Sequence, residues 1–359
     1  MTIFILAIIF LSSFLLYGNG GQLCLFKEIG GLLVMISFLI WWLWKHNKYL
    51  ALFCGWVFLR AFMPPEQPRM QFELSNIIVA IILYLGIRNL NIDVKKIYKG
   101  LCLASFIQIV AVLMQKVNIF PFWNASWDNG RVWGLFGNSN FSGAFIAITI
   151  PFFLETAKTD KRYLLGLLGI PALIILDSQF ALMAGLSGIL LYLYIDYRSL
   201  IKRLHIDILL LTGITTAALY LIYNPIYLPW ERFEVWSRIC QFMVWGGNVE
   251  WRCHFLQGWG VGSGYQLIPM LSGKISVTVN LVWLQAHNEF IQAFLQYGII
   301  GITFIGLIIF DCVKRFNVKN LVLYCGILAL MVDACGFFPF RASPIGYMGV
   351  IYLALIDKG

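Results

Sequence analysis

The chain has 359 residues, of which 60% are hydrophobic and only 12% charged, a balance that excludes a water-soluble globular domain and makes lipid the solvent for most of it. A net charge of +9 would suggest nucleic acid in a soluble protein. In a lipid-embedded chain it reads first as the lysines and arginines that anchor cytoplasmic loops, and no nucleic-acid partner is expected.

In chain order, apolar runs predict helical spans near Thr2–Tyr17, Ile29–Trp44, Tyr49–Met63, Leu74–Ile87, Leu101–Val117 and Asn140–Glu155. Six more are predicted near Tyr163–Leu176, Phe180–Ile195, Ile208–Tyr223, Glu289–Phe310, Leu321–Phe337 and Ile345–Ile356. Backbone polar groups in lipid must be satisfied within their own segment, so the expected fold class is all-α: a polytopic bundle of about twelve spans, forming one membrane domain over 1–359. The first run lacks a basic flank and a small-residue cleavage site and is expected to be a retained span. Between the ninth and tenth spans lies the one large polar segment, 224–286. Its tryptophans, Trp230, Trp236, Trp245, Trp251, Trp259 and Trp283, predict short interfacial helices, with Pro225 and Pro229 ending the preceding span and starting the first of them.

Placing both termini in the cytoplasm puts sixteen of the 26 lysines and arginines on that side, with at least two in every inner loop, as the positive-inside rule requires. The large segment then faces outward. Seven of the ten remaining cations are arginine (Arg60, Arg69, Arg131, Arg232, Arg238, Arg252 and Arg341), whereas eleven of the sixteen inner ones are lysine. Arginine grips phosphate or carboxylate through a planar fork, so the outer bias points to an anionic ligand; ion pairs with Glu231, Glu234 or Glu250, or contacts with lipid headgroups, are the simpler alternative. The eight cysteines show no metal-ligand spacing; only Cys240 and Cys253 share the outer segment, and a disulfide between them stays open.

Three motifs carry chemistry. The most specific is His287-Asn288, nine residues, then Gly298-Ile299-Ile300-Gly301: a proton-transfer group at the mouth of a span, with glycines deeper down for close approach of another helix. Upstream lie Arg232-Phe-Glu-Val-Trp236 and Gly258-Trp-Gly-Val-Gly262-Ser-Gly264, and further upstream Arg131-Val-Trp-Gly134-Leu-Phe-Gly137-Asn138-Ser-Asn140. Neither glycine run has the lysine or strand context of a nucleotide fingerprint, so no nucleotide cofactor is expected. No acidic metal pair sits on the outer side, and no metal is expected either.

In this order the motifs resemble the O-antigen ligase and polymerase superfamily of bacterial membrane glycosyltransferases, from about Arg131 to the end of the chain. The resemblance implies an inner-membrane enzyme with its active site on the periplasmic face, a polyprenyl-diphosphate-linked glycan as donor, and a glycan or lipid A core as acceptor. Residue by residue it points to Arg232 and His287 at the reaction centre, with Arg131 and Asn140 in the second matching motif. Arg232 is expected to bind the diphosphate with Arg238 or Arg341 assisting, His287 to orient or deprotonate the acceptor hydroxyl, and Asn288 to hold a sugar or the imidazole. The chain departs from the family at Ser178-Gln179-Phe180, where members often carry Ser-Arg-Gly, so a phosphate-binding arginine is missing at Gln179. The rival class is a transporter or flippase of an anionic lipid-linked glycan, for which Arg60 and Asp333 are the few intramembrane charges.

Overall fold

A computed structural model describes residues 36, 38–61, 70–90, 93–119, 132–204, 230–245, 254–272, 285–337 and 343–358. The predicted spans Thr2–Tyr17 and Ile208–Tyr223, half of Ile29–Trp44, and Arg69, Arg131, Cys253 and Arg341 lie outside them. Every regular element among the described residues is helical. The helices are α1 (Lys48–Ala61), α2 (Met70–Asn89), α3 (Val94–Lys116), α4 (Ser139–Ala157), α5 (Gly169–Ile175), α6 (Gln179–Leu204), α7 (Trp230–Trp245), α8 (Gly264–Ser272), α9 (Glu289–Lys314), α10 (Leu321–Ala334) and α11 (Ser343–Lys358). Among the described residues, four are long and apolar enough to cross a membrane: α3, α4, α9 and the Gln179–Asp196 part of α6.

Short polar side chains set the helix starts. Asp93, Asn138 and Asn288 each accept a hydrogen bond from backbone N–H groups of the first turn of α3, α4 and α9, which satisfies donors that have no intrahelical partner. One predicted span departs from the expected form. Tyr163–Leu176 is a 3-10 helix over Lys161–Leu168 that passes into the seven-residue α5. Its glycines explain the difference: a Cβ on Gly166 would sit 2.0 Å from the ring of Phe153, so the segment winds tightly against α4 rather than running as a separate α-helix.

The centre of the bundle is α4, which packs on α3, α6 and α10 and is buried along nearly its whole length. Lipid supplies no hydrophobic drive between helices, so close van der Waals packing of small residues replaces it. Gly143 of α4 faces Ala181 of α6 so closely that a Cβ would come within 2.9 Å of the alanine methyl. A second group pairs α1 with α9, and α7 and α8 lie against α9. There Val235, Ile239 and Met243, at helical spacing on α7, meet Ile268 and Leu295 in a small apolar core of their own. The 224–286 segment thus contains short helices where it is described.

Between α9 and the α10–α11 face runs a cleft of about 710 Å³, walled mainly by apolar side chains of α1, α2, α9, α10 and α11. It follows α9 from Glu289 to Phe316, just past the end of a helix whose 26 residues span ~39 Å. Its polar lining, Glu73, Asn76, Glu289 and Tyr347, lies mostly toward the end where α9 begins. Polar ties join the helices at both ends of the bundle. At one, the buried Asp357 carboxylate accepts from Asn47 Nδ2 at 2.9 Å, from the Tyr84 hydroxyl and from Arg315 at 2.6 Å, joining the ends of α2, α9 and α11 to the start of α1. At the other, α9 and α7 are tied to the end of α10.

Candidate active site

The second tie is where the sequence motifs converge. The carbonyls just past the end of α10 have no intrahelical donor, and two motif side chains supply one. Asn288 Nδ2 donates to Cys335 O at 2.7 Å and Arg232 donates to Gly336 O at 2.9 Å. Asn140 joins them through a neighbouring contact: Ser178, just before α6, donates to its side-chain oxygen at 2.9 Å. The rings of Phe141 and Phe337 lie 5.1 Å apart, and Phe180 fills the space beside Gly336. Asn140, Arg232, His287 and Asn288 therefore gather around residues 335–337, at one end of the bundle. Gln179 is the first residue of α6 there.

His287 is held from both sides. Ala286 N donates to the Gln292 side chain at 2.8 Å, and Trp236 Nε1 donates to Ala286 O at 2.5 Å, while Asn288 caps α9. Between these fixed points His287 adopts φ 51°, a left-handed conformation that is uncommon for any residue but glycine and that recurs at functional sites. Burial, and then the Arg232 guanidinium, push its pKa down to about 4, so the imidazole is neutral at neutral pH and keeps a lone pair to accept a proton. Arg232 has a buried Nε with no hydrogen-bond partner among the described residues. Such a donor costs stability unless something accepts from it, and an anion is the natural acceptor.

Arg232 and Trp236 stand one turn apart on α7, which explains their spacing: one reaches the end of α10 and the other the start of α9. The ion pair expected as the simpler role for the outer arginines belongs to Arg238 instead. It binds Glu234 at 2.5 Å and the carbonyl of Leu271 at 3.2 Å, on the α8 side of the helix. Cys240 is a free, exposed thiol.

The glycine motifs explain one another. Helix α9 is interrupted at Gly298, with φ 65° and ψ −169°, which leaves the carbonyls of Leu295, Gln296 and Tyr297 available. Trp259 N, Gly260 N and Trp56 Nε1 donate to them, each at 2.9 Å. A Cβ on Gly258 would lie 2.3 Å from the backbone of Gln296, and one on Gly298 2.4 Å from Leu256 O. The approach that these glycines permit is thus between a loop and a broken helix, where a second helix had been expected. Arg60 of α1 completes the joint by donating to Gly258 O at 2.7 Å, so its charge serves the scaffold. The Gly134–Gly137 turn is likewise clamped by protein, with Gln115 Oε1 accepting from Gly134 N at 2.8 Å and Gln108 Oε1 from Leu135 N at 3.1 Å.

One residue that the motif reading left out belongs to this end. Asp333 is 1% exposed, lies one turn before the carbonyls that receive Asn288 and Arg232, and has both carboxylate oxygens without a hydrogen-bond partner among the described residues. An acid inside an apolar run was the available signal. No protein-family model matches the chain, and no curated protein matches it.

Proposed function

We propose that the chain is a metal-independent membrane glycosyltransferase of O-antigen ligase or polymerase type, moving a glycan from a polyprenyl-diphosphate carrier to a hydroxyl acceptor. The observation that carries this reading is the juxtaposition of Arg232, neutral His287 and Asn288 with a long apolar cleft whose wall begins at the next residue, Glu289. A lipid-linked anion matches that layout, with its hydrocarbon in the cleft and its diphosphate at the guanidinium. Twelve spans, both termini in the cytoplasm of a bacterial inner membrane, and a periplasmic 224–286 segment complete the proposal, on the charge distribution described above.

In the reaction, the acceptor oxygen bonds to the anomeric carbon as the bond from that carbon to the diphosphate oxygen breaks. His287 takes the acceptor proton, Arg232 stabilises the charge that grows on the diphosphate, and Asn288 fixes the entry to α9 beside them. Bound diphosphate would offset the guanidinium charge and raise the basicity of His287 as the substrate arrives. Arg131, Arg238 and Arg341 are assigned to substrate binding with Asn140, Arg238 in exchange for its pairing with Glu234.

Purified Arg232→Ala and His287→Ala variants, assayed with a polyprenyl-diphosphate glycan and an acceptor, should lose about 10²- to 10⁴-fold in transfer rate with unchanged helix content. Full activity of both would overturn the assignment. The depth of the cleft favours one alternative, passage of an anionic lipid-linked glycan across the bilayer. That reading predicts translocation with the sugar–phosphate bond intact, which mass spectrometry of the recovered lipid distinguishes.

A further inference from the structure

The opposite end of the bundle carries a second feature, independent of the proposed reaction. The first turns of α3 hold Lys95, Lys96 and Lys99, all exposed, and the 3-10 segment packed against α3 begins with the exposed Lys161 and Arg162. The two groups meet. The Asp160 carboxyl is held below the usual carboxylate range first by its hydrogen bonds to Arg162 and also by the charge of Lys99. Asp93 and Asp160 are the acids at these two helix starts, so the edge keeps a net positive charge of three.

From these cations two apolar stripes run away along the bundle. On α3, Leu103 and Ile107 follow Lys99 at four-residue spacing and are 61% and 50% exposed. On the 3-10 segment, residues three apart eclipse one another, so Arg162, Leu165 and Leu168 form one line, with the two leucines 55% and 41% exposed. Gly100 lies between the cations and Leu103 with open space where a Cβ would stand. Cations at one end, with exposed branched aliphatic side chains in rows beneath them, complement a phosphate group joined to hydrocarbon chains.

We propose that the edge formed by the start of α3 and the Lys161–Leu168 segment binds one anionic diacyl phospholipid of the membrane, with its phosphate at Lys99 and Arg162 and its chains along Leu103, Ile107, Leu165 and Leu168. Attraction of about fivefold in affinity per cation at a membrane surface makes the charged part measurable. The full chain in detergent, titrated with phosphatidylglycerol or phosphatidylcholine and read by native mass spectrometry, should retain the anionic lipid at least fivefold better. Lys99→Gln/Arg162→Gln should remove most of that preference, and Lys99→Arg/Arg162→Lys should keep it. Leu103→Asn/Leu168→Asn should weaken retention with the cations intact, and glycerol phosphate, which has no chains, should not compete. Lys314→Gln/Lys319→Gln removes the same charge from two other exposed lysines and should change nothing. Equal retention of the two lipids, equal loss in the Lys314/Lys319 pair, or competition by glycerol phosphate would overturn the proposal.

Discussion

The two ends of the bundle use polar groups in opposite ways. At the Asp357 end they are reciprocated: Asp357 accepts from three side chains, Arg315 also pairs with Asp311 at 2.6 Å, and Lys158 lies between Glu155 and Asp196. At the Cys335 end, Arg232 Nε and both Asp333 oxygens have no hydrogen-bond partner among the described residues, and His287 is held in a left-handed conformation. Buried polar groups in a scaffold are normally satisfied, so unsatisfied ones beside backbone strain single out the Cys335 end as the candidate site. The Asp357 end is a lock, and the Cys335 end is the candidate site.

That contrast predicts a set of effects, of which the largest falls on the lock. Asp357→Ala strands Asn47 and Tyr84, leaves Arg315 with Asp311 alone and should cost about 3 kcal/mol, at the lower edge for a buried pair because Arg315 is 37% exposed and keeps that second carboxylate. Thermal unfolding in detergent measures it. Should Asp357→Ala instead remove activity at unchanged stability, the division between the ends fails. Gly298→Ala forces a Cβ onto Leu256 O at a positive φ and should cost roughly 2–3 kcal/mol, with loss of activity only in proportion to unfolding.

A pH effect separates the ends further. His287 has a folded pKa of about 4, below its unfolded value near 6.5, so between those values the unfolded chain holds a proton that the folded chain does not. Stability contributed by neutral His287 is therefore present above pH 6.5 and is lost as pH falls toward 4, by an amount on the order of 3 kcal/mol. His287→Asn should flatten that part of the stability profile, and an unchanged profile would count against a buried, neutral imidazole. The smallest effect is expected at Arg238: Arg238→Ala breaks a half-exposed pair with Glu234 and should change stability by less than about 1 kcal/mol. A loss in transfer rate as large as that of Arg232→Ala would return Arg238 to the centre of the site.

Much of the fold was legible because it is local. Apolar runs gave both helix ends within about four residues for α4, α9 and α10, since periodicity acts over one or two turns, whereas α6 runs nine residues past the predicted Ile195 and α3 begins seven before the predicted Leu101. The Lys161–Leu168 segment was misread as an ordinary span because its winding follows from Phe153, which touches it only after folding. In the site, residue types and spacing singled out His287, Asn288, Arg232 and Asn140, whereas Asp333 stood out only as an intramembrane charge, because its place beside them depends on folding.

By itself, then, the sequence determined an all-helical chain and the approximate places of its long apolar helices α4, α6 and α9. Only the tertiary structure decided that Arg232 goes to the end of α10, and that Gly258 and Gly298 meet each other. Both decisions join segments tens of residues apart in the chain. Periodicity and capping carry no information over that distance, whereas packing and hydrogen-bond satisfaction do.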